Sequence, residues 1–163
     1  MSRPKRLANR SYVGRAQYFL TLCVLNRRPL FENGTVVDEV LAQIQRTARE
    51  ESFEVLAYCF MPDHLHLLVK GIDEESDLRR FAKMSKQRAG YEYKNRCGAL
   101  LWQEGYFERV LRDDSEARQI ARYIVTNPVR AGLVASAAEY AHVGTTEWTI
   151  EELTNVAPNN GVS

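Results

Sequence analysis

The sequence predicts an α+β domain with a ferredoxin-like βαββαβ sandwich, in which helices cover one face of an antiparallel sheet. Three observations lead to this fold class. Four short segments are rich in β-branched and aromatic residues, two longer segments repeat their apolar residues with a helical period, and the two kinds alternate in that order. The length of 163 residues suits one compact domain.

The first half of the chain supplies a strand, a helix and a hairpin. Residues 17–25 (QYFLTLCVL) have the composition of a buried strand, and residues 35–50 have the 3.6-residue apolar period of an amphipathic helix. Residues 53–61 (FEVLAYCFM) predict a second strand. A Pro-Asp pair then forces a turn into a third strand over residues 64–70 (HLHLLVK), so the two strands form a hairpin.

The second half returns to helix, strand and helix. Residues 78–95 have helical periodicity with a basic outer stripe, and residues 106–111 (YFERVL) alternate as a last strand. A further helix is predicted to open with Asp114 or Ser115 as its N-cap and to end near Pro128.

Three regions differ in composition. Residues 1–15 form a basic arm, residues 16–134 the domain, and residues 135–163 an acidic extension that we expect to be partly disordered. No apolar run approaches the ~20 residues needed to span a bilayer and the start lacks a signal peptide, so we expect a cytoplasmic protein without a membrane partner. The three cysteines are widely spaced, which predicts buried free thiols.

The net charge of +1 hides a segregation along the chain. The blocks 1–31, 32–78, 79–130 and 131–163 carry +7, −8, +6 and −4. If the two basic blocks lie on one face, they create a positive field for a polyanion such as DNA; the alternative is charge scattered over a solvated surface.

His64 and His66 lie two positions apart in the predicted third strand, where the period of two directs both side chains to the same face. Leu65 and Leu67 then face the other way. Two neighbouring imidazoles can share one divalent cation, but an H-x-H pair alone is equally compatible with one packed and one exposed histidine.

A second polar group lies on the last predicted helix. Gln119, Tyr123 and Asn127 are spaced four residues apart and share one helix stripe. A tyrosine one turn from an oxygen-bearing side chain can lie beside a metal that this neighbour helps to hold. Phenols ordinarily ionise near pH ~10, so attack on phosphorus needs a metal, a base or a positive field, which Arg118 and Arg122 could supply. The alternative is a surface tyrosine that packs its ring.

Two strings of residues together resemble one known family. Residues 61–69 (MPDHLHLLV) and 123–134 (YIVTNPVRAGLV), with the basic KQR segment at 86–88, are similar to the REP-associated tyrosine transposases of the HUH single-tyrosine superfamily. The resemblance runs from about residue 16 to residue 134. The joint occurrence of M-P-x-H-x-H and Y-I-x-x-N-P-V-x-A-G is far more specific than either motif alone.

The resemblance implies a site and a reaction. His64 and His66 would be metal ligands with Asn127 as the third, and Tyr123 would be the nucleophile that bonds to a 5′ phosphate and frees a 3′ hydroxyl. It implies Mg²⁺ or Mn²⁺ as cofactor, single-stranded or hairpin-forming repeat DNA as substrate, and a monomer rather than a homodimer. After residue 134 the sequence follows the family only loosely, and His142 is expected to be an exposed residue rather than a ligand.

Basic and aromatic residues outside these motifs are candidates for DNA contacts, since cations hold phosphates and aromatic rings stack on unpaired bases. Trp102 is equally compatible with a partly buried core position. The candidates are Arg79, Lys83, Lys86, Arg88, Lys94, Arg118, Arg122 and Trp102, with Arg3, Lys5, Arg6 and Arg10 of the arm.

Two other functions fit the same fold. One is a domesticated module that binds nucleic acid without cutting it, which the basic blocks favour. The other is a metal hydrolase in which the histidines activate water; its only nearby carboxylate is Asp63, which we expect the turn to direct elsewhere.

Overall fold

A computed structural model of the protein describes residues 12–155. Its centre is a five-stranded sheet in which every neighbouring pair is antiparallel. The strands are β1 (Gln17–Cys23), β2 (Phe53–Met61), β3 (His64–Gly71), β4 (Phe107–Val110) and β5 (Val143–Thr145), in the order β4-β1-β3-β2-β5. The first four have the predicted order along the chain, and the α+β class is confirmed.

Within residues 12–155 four α-helices accompany the sheet, and a side-chain cap fixes where each of them begins. They are α1 (Gly34–Glu50), α2 (Leu78–Cys97), α3 (Asp114–Arg130) and α4 (Ile150–Thr154). The side chain of Asn33 accepts hydrogen bonds from two backbone N–H groups of α1, and Asp77 does the same for α2. Asp113, rather than the predicted Asp114 or Ser115, caps α3 by accepting from the N–H of Glu116.

The two faces of the sheet carry separate cores. Because side chains alternate along a strand, Leu20 and Leu22 of β1 pack with α1 and α2, whereas Phe19 packs with α3. The prediction of helices on one face is therefore confirmed for α1 and α2, and α3 covers the opposite face. The basic residues of α2 and α3 are separated by the sheet, so the second basic block does not form a single surface.

The end of α3, predicted near Pro128, lies two residues further along the chain. The helix continues past Pro128 to Arg130. A proline lacks only its own N–H, and here it lies in the last turn with its ring buried, so little intrahelical bonding is lost. Gly132, with a φ of +75°, then reverses the chain, and the N–H of Leu133 donates to the carbonyl of Pro128 over 2.9 Å.

The acidic extension contributes more structure than its composition predicts. β5 pairs with β2, and Gly144 lies so close to Tyr58 that a Cβ atom there would be 2.5 Å from the tyrosine ring. α4 begins with a capping box between Thr149 and Glu152 and buries Leu153 against α3 and its neighbours. Residues 135–155 are thus part of the domain, and residues 156–163 lie outside the described chain, as do residues 1–11 of the predicted basic arm.

The cysteines fit the expectation of free thiols, but only Cys59 is buried. Burial raises the pKa of the Cys59 thiol to about 12, which makes it unreactive. Cys23 is half-buried and Cys97 is exposed, so the prediction was wrong for these two positions. Between residues 12 and 155 no helix is long and apolar enough to cross a membrane.

Candidate active site

The two histidines of β3 lie on the α3 face of the sheet. Leu65 and Leu67 pack in the opposite core, as the strand period predicted. The Nε2 atoms of His64 and His66 point at each other and lie 3.2 Å apart. His66 is only 7% exposed, so the pair forms a nearly dry corner of the domain.

The other ring nitrogens of the pair have fixed partners. The Nδ1 atom of His64 lies 2.7 Å from Oδ1 of Asp63, whose Oδ2 accepts a 2.9 Å hydrogen bond from Nε of Arg27. The Nδ1 atom of His66 lies 2.9 Å from the hydroxyl of Thr21 on β1. Such outer contacts orient histidines for metal binding and are as much part of a site as the ligands. Asp63, expected to point elsewhere, is therefore the group that orients His64.

A costly turn brings Arg27 to Asp63. Asn26 and Arg27 have φ angles of +58° and +54°, a left-handed conformation that costs non-glycine residues of order 1 kcal/mol each. The guanidinium of Arg27 also donates to Sγ of Cys23 over 2.9 Å. Strain of this kind persists where the surroundings hold it, and here it supports the orientation of His64.

Burial and charge set the protonation of the pair. Burial, joined by the positive fields of His64, Arg130 and Arg27, lowers the pKa of His66 to about 3. His66 is therefore neutral at physiological pH, as a metal-binding imidazole must be. Burial alone would raise the pKa of Asp63, but hydrogen bonds from His64 and Arg27 hold it below its ordinary value, so this carboxylate only accepts hydrogen bonds.

The hydrogen bond to Asp63 places one proton of the pair. Because Asp63 only accepts, Nδ1 of His64 carries a proton. The hydrogen bond between the two Nε2 atoms can run in either direction. A cation held by both Nε2 atoms requires a lone pair on each, so His66 would then carry its proton on Nδ1. The hydroxyl of Thr21 suits this tautomer because it can accept as well as donate.

Tyr123 of α3 lies beside His66. The centroids of the two rings are 6.0 Å apart, and Tyr123 makes an edge contact at the same distance with Phe19. The guanidinium carbon of Arg130 lies 4.2 Å from the centroid of the Tyr123 ring, and its Nη2 donates to the Tyr123 carbonyl over 2.7 Å. Tyr123 remains 45% exposed, so its ring is held in place yet open to a ligand.

Asn127 lies one turn beyond Tyr123 on the same helix. Its Oδ1 accepts a 3.4 Å hydrogen bond from Arg130. No group of three or more His, Cys, Asp or Glu side chains that could hold a metal occurs within residues 12–155. The donors that the structure brings together are the two imidazoles. Asn127 as a third ligand, and Mg²⁺ or Mn²⁺ as the metal, stay predictions.

A family model described as "Transposase IS200 like" matches residues 12–127, which is well over half of the 163 residues. The match includes β1, the histidine pair and α3 as far as Asn127. The chain belongs to the IS200-like transposase family.

Two named relatives of this transposase carry the name of the group that the motifs resemble. A REP-associated tyrosine transposase of Escherichia coli K12 is 27% identical over 135 residues, covering 80% of this chain and 77% of its own length. A Haemophilus influenzae protein named for the same group is 28% identical over 130 residues, covering 72% of each chain. The resemblance to the REP-associated tyrosine transposases is confirmed.

Two solved structures share the fold. A REP-associated tyrosine transposase bound to a REP hairpin superposes with a TM-score of 0.73 at 23% identity, over 88% of this chain and 82% of that one. A transposase from Deinococcus radiodurans R1 gives a TM-score of 0.53 at 22% identity, over 73% and 95% of the respective chains. These likenesses establish the fold of the transposase.

The predicted DNA contacts on α2 are not gathered at this site. The helix lies on the other face of the sheet, and several of its cations already hold protein groups. Lys86 donates to the carbonyls of residues 103 and 105, Arg88 pairs with Glu50, and Arg79 lies over the ring of Tyr12. Lys83 and Lys94 are exposed. Their role in DNA binding stays a prediction.

The Trp102 ring is packed against the protein rather than exposed for a ligand to stack on. Its ring lies 5.9 Å from that of Phe31 and against Gly90, and its Nε1–H donates to the carbonyl of Lys86 over 3.1 Å. Of the two alternatives for this residue, the structure favours the partly buried core position. Its use as a platform for an unpaired base would require this packing to open.

The arginine nearest Tyr123 is not one that the sequence indicated. Arg118 and Arg122 are exposed on α3, and Arg118 donates to the carbonyl of Glu152 over 3.1 Å. Arg130 instead covers the Tyr123 ring. It lies seven residues on, two turns along the same stripe, so the helical period would have found it had α3 been extended past Pro128.

Proposed function

We propose that this transposase cleaves and rejoins single-stranded DNA through a covalent bond between Tyr123 and a 5′ phosphate. The observation that carries the proposal is the contact between the Tyr123 ring and His66 within one chain. This arrangement supports the proposal because a nucleophilic Tyr123 would lie beside two side chains that can bind a metal, with Arg130 at its ring.

The reaction exchanges one phosphodiester for another. The oxygen of Tyr123 attacks phosphorus, the bond from phosphorus to the 3′ oxygen breaks, and the leaving oxygen receives the proton that the phenol gave up. The chain retains the strand as a 5′ phosphotyrosine and releases a 3′ hydroxyl. A 3′ hydroxyl that attacks the phosphotyrosine restores a DNA phosphodiester and the free tyrosine. Since bond energy is conserved, the scheme suits strand transfer better than hydrolysis.

The residues have separate tasks in this scheme. His64, His66 and Asn127 would hold Mg²⁺ or Mn²⁺, which when bound polarises the scissile phosphate and stabilises developing charge. Arg130 fixes the Tyr123 ring and adds positive charge beside it. Asp63 and Thr21 orient the two imidazoles through their Nδ1 atoms.

The substrate we propose is single-stranded or hairpin-forming repeat DNA. The solved relative with a TM-score of 0.73 is bound to a REP hairpin, and the motifs of this chain resemble that group. The exposed arginines of α3, Arg118 and Arg122, would contact phosphates, which position a strand without reading its sequence.

A denaturing gel tests the proposal. Purified protein is incubated with labelled single-stranded DNA that carries a repeat hairpin from its own genomic neighbourhood, with Mn²⁺, with Mg²⁺ or with chelator. We expect a protein–DNA adduct that resists SDS, appears only with a divalent ion and is accompanied by a free 3′ end. Tight binding with no adduct under any ion would contradict cleavage and favour the domesticated binding module.

Thr21 tests the metal site separately from DNA. Thr21→Val keeps the shape of the side chain but leaves Nδ1–H of His66 without an acceptor when its Nε2 binds a cation. We expect affinity for Mn²⁺, measured by calorimetry without DNA, to fall about 10-fold to 100-fold. Thr21→Ser restores the hydroxyl and should bind as the wild type does. Equal affinity in the Thr21→Val protein would show that the hydroxyl does not support His66.

A further inference from the structure

Phe107 is a large aromatic side chain left in solvent next to the site. It opens β4, the edge strand of the sheet, and is 40% exposed. Its partner across the pair is Thr21, the residue that contacts His66. Paired residues of adjacent strands point to the same face, so Phe107 lies on the α3 side of the sheet.

Phe107 and Tyr123 are linked through one buried ring. Phe19, 8% exposed, stacks on His66 with centroids 5.3 Å apart. Phe107 meets the edge of Phe19 at 6.1 Å and Tyr123 meets it at 6.0 Å, both at steep interplanar angles. The exposed ring of Phe107 is therefore held by the buried ring of Phe19, which also contacts Tyr123 and His66.

The surroundings of Phe107 suit a nucleic acid strand. Arg109, two residues along β4 and half-exposed, and Arg112 both pair with the single carboxylate of Glu116. The arginine side chains are 50% and 85% exposed, so both guanidinium groups are open to a phosphate although carboxylates of residues 108, 113 and 114 lie in the same segment. An exposed aromatic ring near exposed guanidinium groups is a combination by which proteins hold single strands, with bases on the ring and phosphates at the cations.

We propose that Phe107 is a stacking platform for an unpaired base next to the phosphate that Tyr123 attacks. The inference rests on the proposed function, because that function identifies the phosphate. The base subsite itself is inferred from the exposure of Phe107 and its contact with Phe19. The ligand is a nucleobase of single-stranded DNA, taken through its π-face and hence with little sequence preference. Trp102, which the sequence left open between this task and a core position, is occupied by packing.

Fluorescence of a base analogue tests the subsite without cleavage. Oligonucleotides with 2-aminopurine at successive single-stranded positions flanking a hairpin are titrated with Tyr123→Phe protein in chelator. We expect quenching at one position near the cleavage site. In the same background, Phe107→Ala should remove that quenching and weaken binding about tenfold. Phe107→Trp, which keeps a π-face, should retain both.

Two further variants separate stacking on Phe107 from general apolar contact and from binding at a distant ring. Phe107→Leu keeps apolar bulk and folding but has no π-face, and should behave like Phe107→Ala. Tyr91→Ala removes another exposed aromatic ring, 65% exposed on α2, and should bind as the parent does. Unchanged binding and quenching in Phe107→Ala, or full quenching in Phe107→Leu, would overturn the proposal. Position-specific quenching in a protein that never forms an adduct would keep the base subsite and reject the cleavage function.

Discussion

Tyr123→Phe is expected to abolish the covalent adduct, with a loss of strand cleavage of at least about 1000-fold. The substitution removes only the attacking oxygen. The contacts that position the residue are made by its ring, with Phe19, His66 and Arg130, and by its main-chain carbonyl, and phenylalanine keeps all of them. The measurement is the amount of SDS-resistant adduct formed with Mn²⁺ and hairpin DNA.

Folding and DNA affinity provide the controls for this variant. A substitution at a half-exposed position that keeps its packing should change the free energy of unfolding by no more than about 0.5 kcal/mol. Affinity for the same DNA in chelator should also stay at the wild-type level. Covalent capture of DNA by the Tyr123→Phe protein would show that another residue is the nucleophile, whereas metal-dependent nicking without capture would revive the metal hydrolase.

His66→Ala is expected to lower affinity for Mn²⁺ by at least about 100-fold, because loss of a direct ligand costs more than loss of its outer partner. Adduct formation should fall with it. The imidazole is buried between Thr21, Phe19 and His64, so a cavity remains and the protein should also be less stable. Calorimetry of metal binding and thermal unfolding separate the two effects.

The third histidine is the matched control. His142 was expected to be exposed but is half-buried, because its ring packs against Tyr140, and it does not contact the histidine pair. His142→Ala should bind Mn²⁺ and form adduct as the wild type does. If His66→Ala and His142→Ala lost Mn²⁺ affinity and adduct formation to a comparable extent, the pair on β3 would not be the specific metal site.

The parts of the fold that follow from local periodicity were predictable. β2 was predicted with its observed bounds, and the alternation of β3 correctly separated the histidines from Leu65 and Leu67. The core-facing residues of α3, among them Ala117, Ala121 and Ile124, are buried as the helical period requires. Each of these inferences needs only the geometry of one element.

The parts that depend on distant contacts were not predictable. Nothing in a single sequence fixes the register that pairs Thr21 with His66, or the choice of α3 for the face opposite to α1 and α2. β5 has only three residues, one of them a glycine, which is too short for a periodic signal, and it is stabilised by pairing with β2. The sequence analysis did not single out Arg130, because it lies beyond Pro128, near which the helix was expected to end.

A single chain places one tyrosine ring beside the histidine pair, and in the proposed reaction this fixes how many DNA ends the chain can hold. While Tyr123 carries a 5′ phosphate, its oxygen cannot attack a second strand. Removing a segment of DNA requires two breaks. The proposed enzyme must therefore either work as two chains, one at each end, or seal the first end before it opens the next.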